Sequence, residues 1–308
     1  MGARAVKTLA SIEEMRAASR AFKVAGKRLG FVPTMGALHE GHLSLVGAAR
    51  SSCDTVAASI FVNPTQFGPN EDLAKYPRSF ERDCAMLERE GVEFVFAPSA
   101  EEMYPIDSRA PSPESRADKS RFLAPLTSVT VEGLSDKLDG QSRPGHFRGV
   151  TTVVTKLFHI VEPDAAFFGQ KDAAQVAVIR RMVHDLNLAV EIVVCPIVRE
   201  PDGLAMSSRN AYLDPQQRKQ ALVLHRSLMR VRALVDAGQA ATAKLAAAAR
   251  EEFRAEPSVR LDYFEIVDPD TLDPLESVSG GALVAVAAFV GSTRLIDNVL
   301  IGKRSGHP

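Results

Sequence analysis

The sequence predicts an α/β protein in which a doubly wound parallel sheet precedes a smaller C-terminal α+β domain. Over the first two-thirds of the 308 residues, short and nearly continuous apolar runs alternate with longer helical patterns, as is typical of parallel strands covered on both faces. From about residue 196 the order changes to helices followed by strands, which indicates a second unit. We therefore expect a Rossmann-like domain at residues 1–195 and a smaller domain at residues 196–308 that closes over the site.

Five segments are predicted as strands of the parallel sheet because each is short, apolar and bounded by turn residues. In chain order they are 29–33, 55–63, 92–98, 165–169 and 190–196. Two helices are predicted between them, one from Asp72 to Glu90 and one from Asp172 to Asn187. In the second helix a buried stripe is expected from Val176, Ile179, Val183 and Leu186. The alternating order implies right-handed crossovers, which bring the carboxyl ends of the strands to one edge.

The second unit opens with a predicted hairpin at 199–206 that turns at 201–203. Asp214 is expected to be the N-cap of the next helix, with Pro215 at its first position and Gln217 completing a capping box. The remaining predicted elements are that helix as far as Asp236, a helix at 240–255, and strands near 261–267, 282–290 and 294–301.

Composition excludes several classes of function. The formal net charge of −1 provides no positive field for nucleic acid. No apolar run reaches the ~20 residues that cross a bilayer, so no membrane partner is expected. The three cysteines are scattered and lack metal-ligand spacing, and no secretory signal is recognisable, which predicts a cytoplasmic protein. The polar segment at 105–121 is expected to be a surface loop, with a lid as the alternative.

The segment 36–42 connects the first of these predicted strands to a helix, the position at which open α/β sheets bind ligands. The free N–H groups of a first helical turn suit phosphate, and Gly36 and Gly41 let the backbone come close. His39 and His42 lie three residues apart, so they can share a face and donate hydrogen bonds to a phosphate. The residues alone leave a structural histidine pair and a zinc site open as alternatives.

Polar groups also end two later strands. Asn63 and Gln66 follow the second predicted strand, where their amides can fix a small polar ligand or cap a turn. Lys171 and Asp172 follow the fourth strand, with Gln175 one helical turn further on. This pair fits either a phosphate site or a solvated ion pair, which contributes little to stability.

The stretch 205–210 places two hydroxyls and a guanidinium in sequence, at Ser207, Ser208 and Arg209. These groups can hold phosphate oxygens through short hydrogen bonds and a bidentate fork. Such loops are common, so this signal is weak alone. All of these groups nevertheless fall at predicted strand ends or just after the last parallel strand, and together they predict one site.

In order and spacing, the motifs resemble those of the pantoate–β-alanine ligase family. They are PTMGALHEGH, SIFVNPTQF, YPRS, RPGHFRGV, FFGQKD and GLAMSSRN, with STRLIDN near the end. The paired-histidine motif and the serine-rich loop are also similar to the two signatures of the wider nucleotidyltransferase and class I aminoacyl-tRNA synthetase group. The resemblance extends over nearly the whole chain.

This resemblance implies an ATP-dependent condensation of (R)-pantoate with β-alanine. ATP and pantoate would give pantoyl-adenylate and pyrophosphate, and β-alanine would then displace AMP to form pantothenate. ATP is thus a substrate, and Mg²⁺ would be carried with its phosphates rather than by a dedicated protein site. A homodimer is also implied.

The resemblance implies roles for individual residues at the ATP site. His42 would donate a hydrogen bond or a proton to the phosphates, His39 would support it, and Lys171 would be the phosphate cation. The implied ATP-binding residues are Met35, Gly36, Ala37, Leu38, His39, Glu40, Gly41, His42, Gly169, Gln170, Lys171, Asp172, Val198, Met206, Ser207, Ser208 and Arg209.

The implied acid and amine sites rest on amides. Gln66 would contact both pantoate and β-alanine, Gln175 would contact pantoate, and Asn63 would also bind substrate. Candidates of second rank are Tyr76, Asp83 and Arg143.

The sequence departs from the family pattern at Thr65, where Met is usual, and at Gln170 and Asp139, where Glu is usual, and the segment 172–175 lacks the first of two customary glutamines. None of these changes removes a group with an implied chemical role.

Two alternative functions are considered: a nucleotidyltransferase that moves AMP onto a phosphate-bearing acceptor, and a nucleotide-binding protein without turnover. The first would favour a basic residue close to Gln66, which the segment 61–68 lacks. The intact histidine, lysine and serine motifs argue against the second.

Overall fold

The computed structural model describes residues 6–69, 71–105 and 125–302. From residue 106 onward, the polar loop predicted at 105–121 lies outside the described residues.

The described N-terminal part contains a six-stranded sheet in which every pairing is parallel. Its strands stand in the order β1-β4-β3-β2-β5-β6, and the order reverses direction between β2 and β5, where such sheets bind ligands. The strands are β1 (Lys7–Leu9), β2 (Leu29–Thr34), β3 (Thr55–Ile60), β4 (Phe94–Phe96), β5 (Ala165–Gly169) and β6 (Glu191–Cys195). This confirms the predicted doubly wound α/β class.

All five predicted strands are present, and one strand was missed. The predictions at 55–63 and 92–98 were too long, because β3 ends at Ile60 and β4 at Phe96. The missed strand, β1, has only three residues, two of which are exposed. So short a segment lacks the apolar run on which strand prediction depends.

Helices cover both faces of this sheet. They are α1 (Ile12–Val24), α2 (Glu40–Ser52), α3 (Phe80–Arg89), α4 (Ala100–Met103), α5 (Asp139–Ser142), α6 (His146–Val161) and α7 (Ala173–Asp185). The prediction of one helix from Asp72 to Glu90 was wrong in its first half. A short 3₁₀ turn at Asp72–Ala74 is followed by an irregular stretch before α3, since Pro77 disfavours helical geometry at the residue before it.

The buried stripe of α7 differs from its prediction at one end. Val176 and Ile179 are buried and Val183 is partly buried, as predicted. Leu186 is 46% exposed, whereas Met182 is buried in the core. The helix ends at Asp185, so the periodicity no longer applies to Leu186.

Helix α6 is the central element of the N-terminal core. Twelve of its sixteen residues are buried, and its N-terminal end packs on a 3₁₀ turn at Pro64–Gln66. Gly149 makes this close approach possible, because a Cβ there would lie 2.5 Å from the Cα of Gln66 and 2.5 Å from the carbonyl oxygen of Thr65. The glycine of the RPGHFRGV motif therefore brings the helix against the turn that carries Gln66.

The C-terminal part contains a three-stranded antiparallel sheet packed against two helices. Arg199 pairs with Ala205 across the predicted hairpin. The capping box of Asp214 and Gln217, with Pro215 at the first helical position, is confirmed. The elements are α8 (Pro215–Asp236), α9 (Thr242–Arg254), β7 (Val259–Val267), β8 (Ala282–Val290) and β9 (Thr293–Ile301). The division into two domains at 195/196 stays a prediction.

Candidate active site

The histidine turn, residues 35–42, leaves the end of β2 and enters α2. Gly36 (φ +83°) and Ala37 (φ +53°) both adopt left-handed backbone geometry, which is costly for alanine. The buried carboxylate of Asp83 holds this geometry in place. It accepts the N–H groups of Ala37 at 2.8 Å and Leu38 at 2.9 Å. Asp83 thus fixes the backbone of the turn, and its side chain does not line a cavity at this site.

The two histidines of this turn form a defined pair with ring centroids 4.2 Å apart. Nδ1 of His39 accepts the N–H of Gly41 at 3.1 Å, and Nδ1 of His42 accepts the N–H of His39 at 3.4 Å. Because Nδ1 is an acceptor in both rings, Nε2 carries the proton of each neutral imidazole. Both rings therefore present an N–H donor.

Both imidazoles are held in the neutral form. Burial, together with the nearby His39 and Lys171, lowers the pKa of His42 to about 3. Burial, followed by the charge of Lys171, lowers the pKa of His39 to about 4. At neutral pH the pair therefore offers hydrogen bonds without carrying charge.

The lysine turn, residues 169–172, follows β5 and is a 3₁₀ turn that leads into α7. Nζ of Lys171 lies 3.8 Å from the carboxylate of Asp172, and 22% of the lysine side chain is exposed. At this distance the pair is loose, so the ammonium group remains able to pair with an incoming anion. Gln175 lies in the first turn of α7 and lines the same cavity as Lys171.

The serine loop, residues 206–209, follows the 199–205 hairpin. The N–H of Met206 donates to the carbonyl of Val198 at 3.0 Å. The hydroxyl of Ser207 accepts the N–H of Arg209 at 3.2 Å and caps a 3₁₀ turn at Ser208–Tyr212. The loop is therefore held in a definite shape next to the edge of the parallel sheet.

The histidine turn, lysine turn and serine loop meet at one cavity of about 170 Å³. Of the residues predicted to bind ATP, its wall includes Met35, His39, Gly41, His42, Gly169, Lys171, Asp172, Val198, Met206, Ser207, Ser208 and Arg209. Five residues predicted to bind ATP line neither this cavity nor a larger neighbouring one: Gly36, Ala37, Leu38, Glu40 and Gln170. Tyr76, a candidate of second rank, also lines the smaller cavity.

A larger cavity of about 780 Å³ shares Lys171, Asp172, Ser207 and Arg209 with the smaller one. It extends between the parallel sheet and the C-terminal sheet, and its volume lies in the range typical of ligand sites. Gln175 and Arg143 line it, as does Asp139. The carboxylate of Asp139 is paired with Arg294 at 2.7 Å, and Arg294 is also paired with Asp262 at 2.9 Å, so Asp139 is held by an ion pair within the protein.

Gln66 sits beside the histidine turn with its amide orientation fixed. Its Oε1 accepts from Nδ2 of Asn63 at 3.1 Å, and its Nε2 lies 3.1 Å from the sulfur of Met35. A thioether is only a weak acceptor, so this NH₂ group keeps its capacity to donate to a carboxylate or hydroxyl oxygen. Gln66 itself lines neither cavity, but Met35, which its NH₂ group contacts, lines the smaller one.

Asn63 is 1% exposed, and its amide is used inside the protein. Besides Gln66, Nδ2 donates to the carbonyl of Gly149 at 3.1 Å. Its Oδ1 accepts from the hydroxyls of Thr65 at 3.0 Å and Tyr104 at 2.8 Å. The structure therefore places Asn63 behind Gln66, where it orients the glutamine, and a direct substrate contact for Asn63 stays a prediction. The hydroxyl of Thr65 also lies 3.4 Å from that of Tyr104, and the N–H of Thr65 donates to Oδ1 of Asn63 at 3.3 Å.

His146, for which the sequence predicted no role, supports Gln66 from the other side. Nε2 of His146 lies 3.0 Å from Nη1 of Arg143, and its Nδ1 lies 2.9 Å from the carbonyl oxygen of Gln66. A guanidinium can only donate, so Nδ1 carries the proton and donates to Gln66. Arg143 is in turn paired with Glu71 through two bonds of 2.9 and 2.5 Å. The RPGHFRGV motif signalled this position, although not its function.

Protonation of His146 is expected to destabilise the fold at acid pH. Burial and the neighbouring Arg143 lower its pKa to about 4, whereas an unfolded histidine titrates near 6.5. As pH falls from about 6.5 toward 4, the unfolded chain binds a proton that folded His146 does not, so stability falls. In urea unfolding across this range, His146→Gln should reduce the slope of stability against pH by up to about 1.4 kcal/mol per pH unit.

His159→Gln is the matched control, because His159 lies on the same helix and is exposed. This variant should keep the pH dependence of the parent protein. An unchanged slope in His146→Gln would contradict the assignment of a neutral, buried imidazole at this position.

Among residues 6–69, 71–105 and 125–302, no group of three or more His, Cys, Asp or Glu is placed to hold a metal ion. Within the same residues, no helix combines the length and apolar character needed to span a membrane.

Comparison with known proteins gives one family over nearly the whole chain. The family model described as Pantoate-beta-alanine ligase matches residues 7–300. The pantothenate synthetase of Koribacter versatilis is 60% identical over 296 residues, which cover 96% of this chain and 96% of that protein. The pantothenate synthetase of Thermotoga neapolitana is 54% identical over 297 residues, covering 96% of this chain and all (100%) of that protein.

Solved structures agree with the sequence matches. The crystal structure of pantothenate synthetase from Thermus thermophilus superposes with a TM-score of 0.85 at 47% identity, covering 96% of this chain and 99% of that one. The pantoate–β-alanine ligase of Francisella tularensis, solved in complex with β-γ ATP and β-alanine, gives a TM-score of 0.75 at 31% identity. That match covers 96% of this chain and 98% of the other.

Proposed function

Because this chain belongs to the pantoate–β-alanine ligase family, we propose that it condenses (R)-pantoate with β-alanine to form pantothenate. The reaction consumes ATP and releases AMP and pyrophosphate through a pantoyl-adenylate. The observation that carries this proposal is the convergence of the histidine turn, the lysine turn and the serine loop on one cavity. We infer that Gln66, whose Nε2 lies 3.1 Å from the sulfur of Met35 in the wall of that cavity, supplies the neutral donor for the hydroxy acid.

In the first step a carboxylate oxygen of pantoate attacks the α-phosphorus of ATP, and the bond to pyrophosphate breaks with its electron pair on the leaving group. Negative charge grows on the phosphate oxygens as this bond breaks. Fixed donors that face this charge lower the barrier, because they need no reorganisation during the reaction. We assign that role to Nε2–H of His42 and to the ammonium of Lys171, with Ser207, Ser208 and Arg209 closing over the phosphates.

Pantoate is held by amides in this scheme. The NH₂ group of Gln66 donates to the acid, and Gln175 contacts the same substrate from the start of α7. A neutral amide binds a hydroxyl or carboxylate oxygen without the strong attraction for phosphate that an added cation would provide. This chemistry favours pantoate over a phosphate-bearing acceptor.

In the second step the unprotonated amine of β-alanine attacks the acyl carbon of the adenylate. The C–O bond to AMP breaks with its electron pair on AMP, and the proton lost by nitrogen passes to solvent. Adenylation makes this step possible, because a free carboxylate resists attack by an amine. The protein provides proximity and orientation, and no side chain needs to act as a nucleophile.

Mg²⁺ fits the donor set of this site as an ion carried by ATP. Asp172 is the one carboxylate among the described residues that line the smaller cavity, and 47% of its side chain is exposed. Mg²⁺ commonly binds through one or two carboxylates together with substrate phosphates and water. When bound, the ion neutralises part of the phosphate charge, and we propose that Asp172 holds it.

The decisive experiment supplies the protein with ATP, Mg²⁺, pantoate and β-alanine and quantifies the products by chromatography. Pantothenate and AMP are expected in equal amounts. Without β-alanine, pantoate-dependent exchange of labelled pyrophosphate into ATP is expected, since adenylation is reversible until the amine attacks. Formation of ADP instead of AMP would overturn the adenylate mechanism.

We also propose a cytoplasmic homodimer with two domains divided at 195/196. Cys53, Cys84 and Cys195 form no disulfide, which supports a reducing compartment. The family resemblance supports the dimer, which sedimentation would test. The end of β6 at Cys195 and the separate antiparallel sheet that follows support the domain division.

A further inference from the structure

Strand β9 of the C-terminal sheet contacts the segments on both sides of the proposed ATP site. Asp297 and Asn298 are adjacent, so their side chains point to opposite faces of the strand. Asp297 forms a two-bond ion pair with Arg199, at 2.6 and 2.9 Å, at the base of the hairpin that precedes the serine loop. Asn298 faces the lysine turn.

The amide of Asn298 is fully committed to the lysine turn. Its Nδ2 donates to the carbonyl oxygens of Gln170 and Lys171, each at 2.9 Å. Its Oδ1 accepts from Nε2 of Gln170 at 3.0 Å. The residue is 2% exposed, so water does not replace these bonds easily. They fix both peptide groups from which the side chain of Lys171 extends.

The third of these bonds depends on the side-chain amide of Gln170. A glutamate at position 170 has no N–H to donate to Oδ1 of Asn298. Gln170 lines neither cavity, so its side chain faces the C-terminal sheet rather than a ligand. Gln170 and Asn298 therefore form a reciprocal pair across the two parts of the chain.

We propose that Asn298 is a positioning residue for adenylation, which sets the location of the Lys171 ammonium through the backbone of the lysine turn. This inference rests on the proposed function. A displacement of about 1 Å at a catalytic group can cost about 10²-fold in rate. Loss of the Asn298 amide should therefore slow adenylation by about 10- to 100-fold, although Asn298 lines neither cavity.

The test is a double-mutant cycle on Asn298→Ala and Lys171→Met, with pantoate-dependent pyrophosphate exchange as the readout. If Asn298 acts through Lys171, its substitution should cost little once the ammonium is absent, so the two effects should not add. The KM for pantoate should change less than the exchange rate in Asn298→Ala. Effects that multiply fully would overturn the proposal, as would full exchange activity in Asn298→Ala.

Val299→Ala is the matched control for a purely structural effect. Val299 is the next residue on β9 and is buried in the C-terminal core, so its truncation destabilises the same sheet without touching the lysine turn. This variant should lower Tm and retain parental exchange. Equal losses of exchange in Val299→Ala and Asn298→Ala would assign the effect to the sheet as a whole and contradict the proposal.

Asn298→Ser retains one donor, so the same cycle can be run if Asn298→Ala does not fold. It should give a smaller loss with the same lack of additivity. Exchange by the parent protein separates this test from that of the proposed function. If the parent protein shows no pyrophosphate exchange, the proposed function itself is contradicted. If the parent is active and the effects of the two substitutions multiply fully, only the proposed role of Asn298 is contradicted.

Discussion

Replacing His42 with alanine is expected to slow adenylation by about 10²–10³-fold, which corresponds to about 2.7–4 kcal/mol of transition-state stabilisation. The neutral imidazole carries its proton on Nε2, since Nδ1 accepts the N–H of His39. Its position is fixed before ATP arrives, because the histidine turn is held by Asp83. A donor fixed in advance acts mainly on the charge that develops in the transition state, so kcat should fall more than the affinity for ATP changes.

Single-turnover formation of pantoyl-adenylate measures this effect without product release. His159→Ala, which alters an exposed histidine outside the site, should retain the parental rate. His39→Ala should lose less activity than His42→Ala, because Nδ1 of His39 mainly caps the N–H of Gly41. A parental single-turnover rate in His42→Ala would mean that the imidazole does not face the reacting phosphate.

The parallel sheet was predictable because its strands carry their own signal. Segments such as 165–169 are short and apolar throughout, as is typical of a strand covered on both faces. Strand β1 carries no such signal, since it depends on pairing with β4, which is distant in sequence. The prediction of a helix starting at Asp72 was wrong for a local reason. Pro77 disfavours helical geometry at the residue before it, and the prediction did not take it into account.

The residues of the candidate site likewise fall into those that the sequence could indicate and those that it could not. Residues such as His42 and Lys171 could be found because they sit at strand ends, where parallel topology brings separate loops together. Their supports could not be found from spacing, although the family resemblance named Asp83 as a candidate of second rank. Asp83 acts through backbone N–H groups, and Asn298 acts through carbonyls more than a hundred residues away. Such contacts depend on how the two sheets pack, which no local pattern encodes.

The second large effect is expected at Lys171. Lys171→Met retains most of the side-chain length and removes the charge, so kcat/KM for ATP should fall by at least about 10²–10³-fold. The loose contact with Asp172, 3.8 Å between Nζ and the carboxylate, leaves the ammonium available for phosphate. Lys171→Arg keeps the charge with a different shape, and it should retain more activity than Lys171→Met.

The same variant has a consequence that does not depend on turnover. The positive charge of Lys171 contributes to the low pKa values of both His39 and His42, so removing it should raise both. Titration of the imidazole resonances by NMR, without substrates, measures this shift, and Lys171→Arg should leave both values close to those of the parent. Unchanged histidine pKa values in Lys171→Met would place the ammonium away from the pair. If Lys171→Met also kept the parental rate of pyrophosphate exchange, the assignment of Lys171 to the phosphate site would be contradicted.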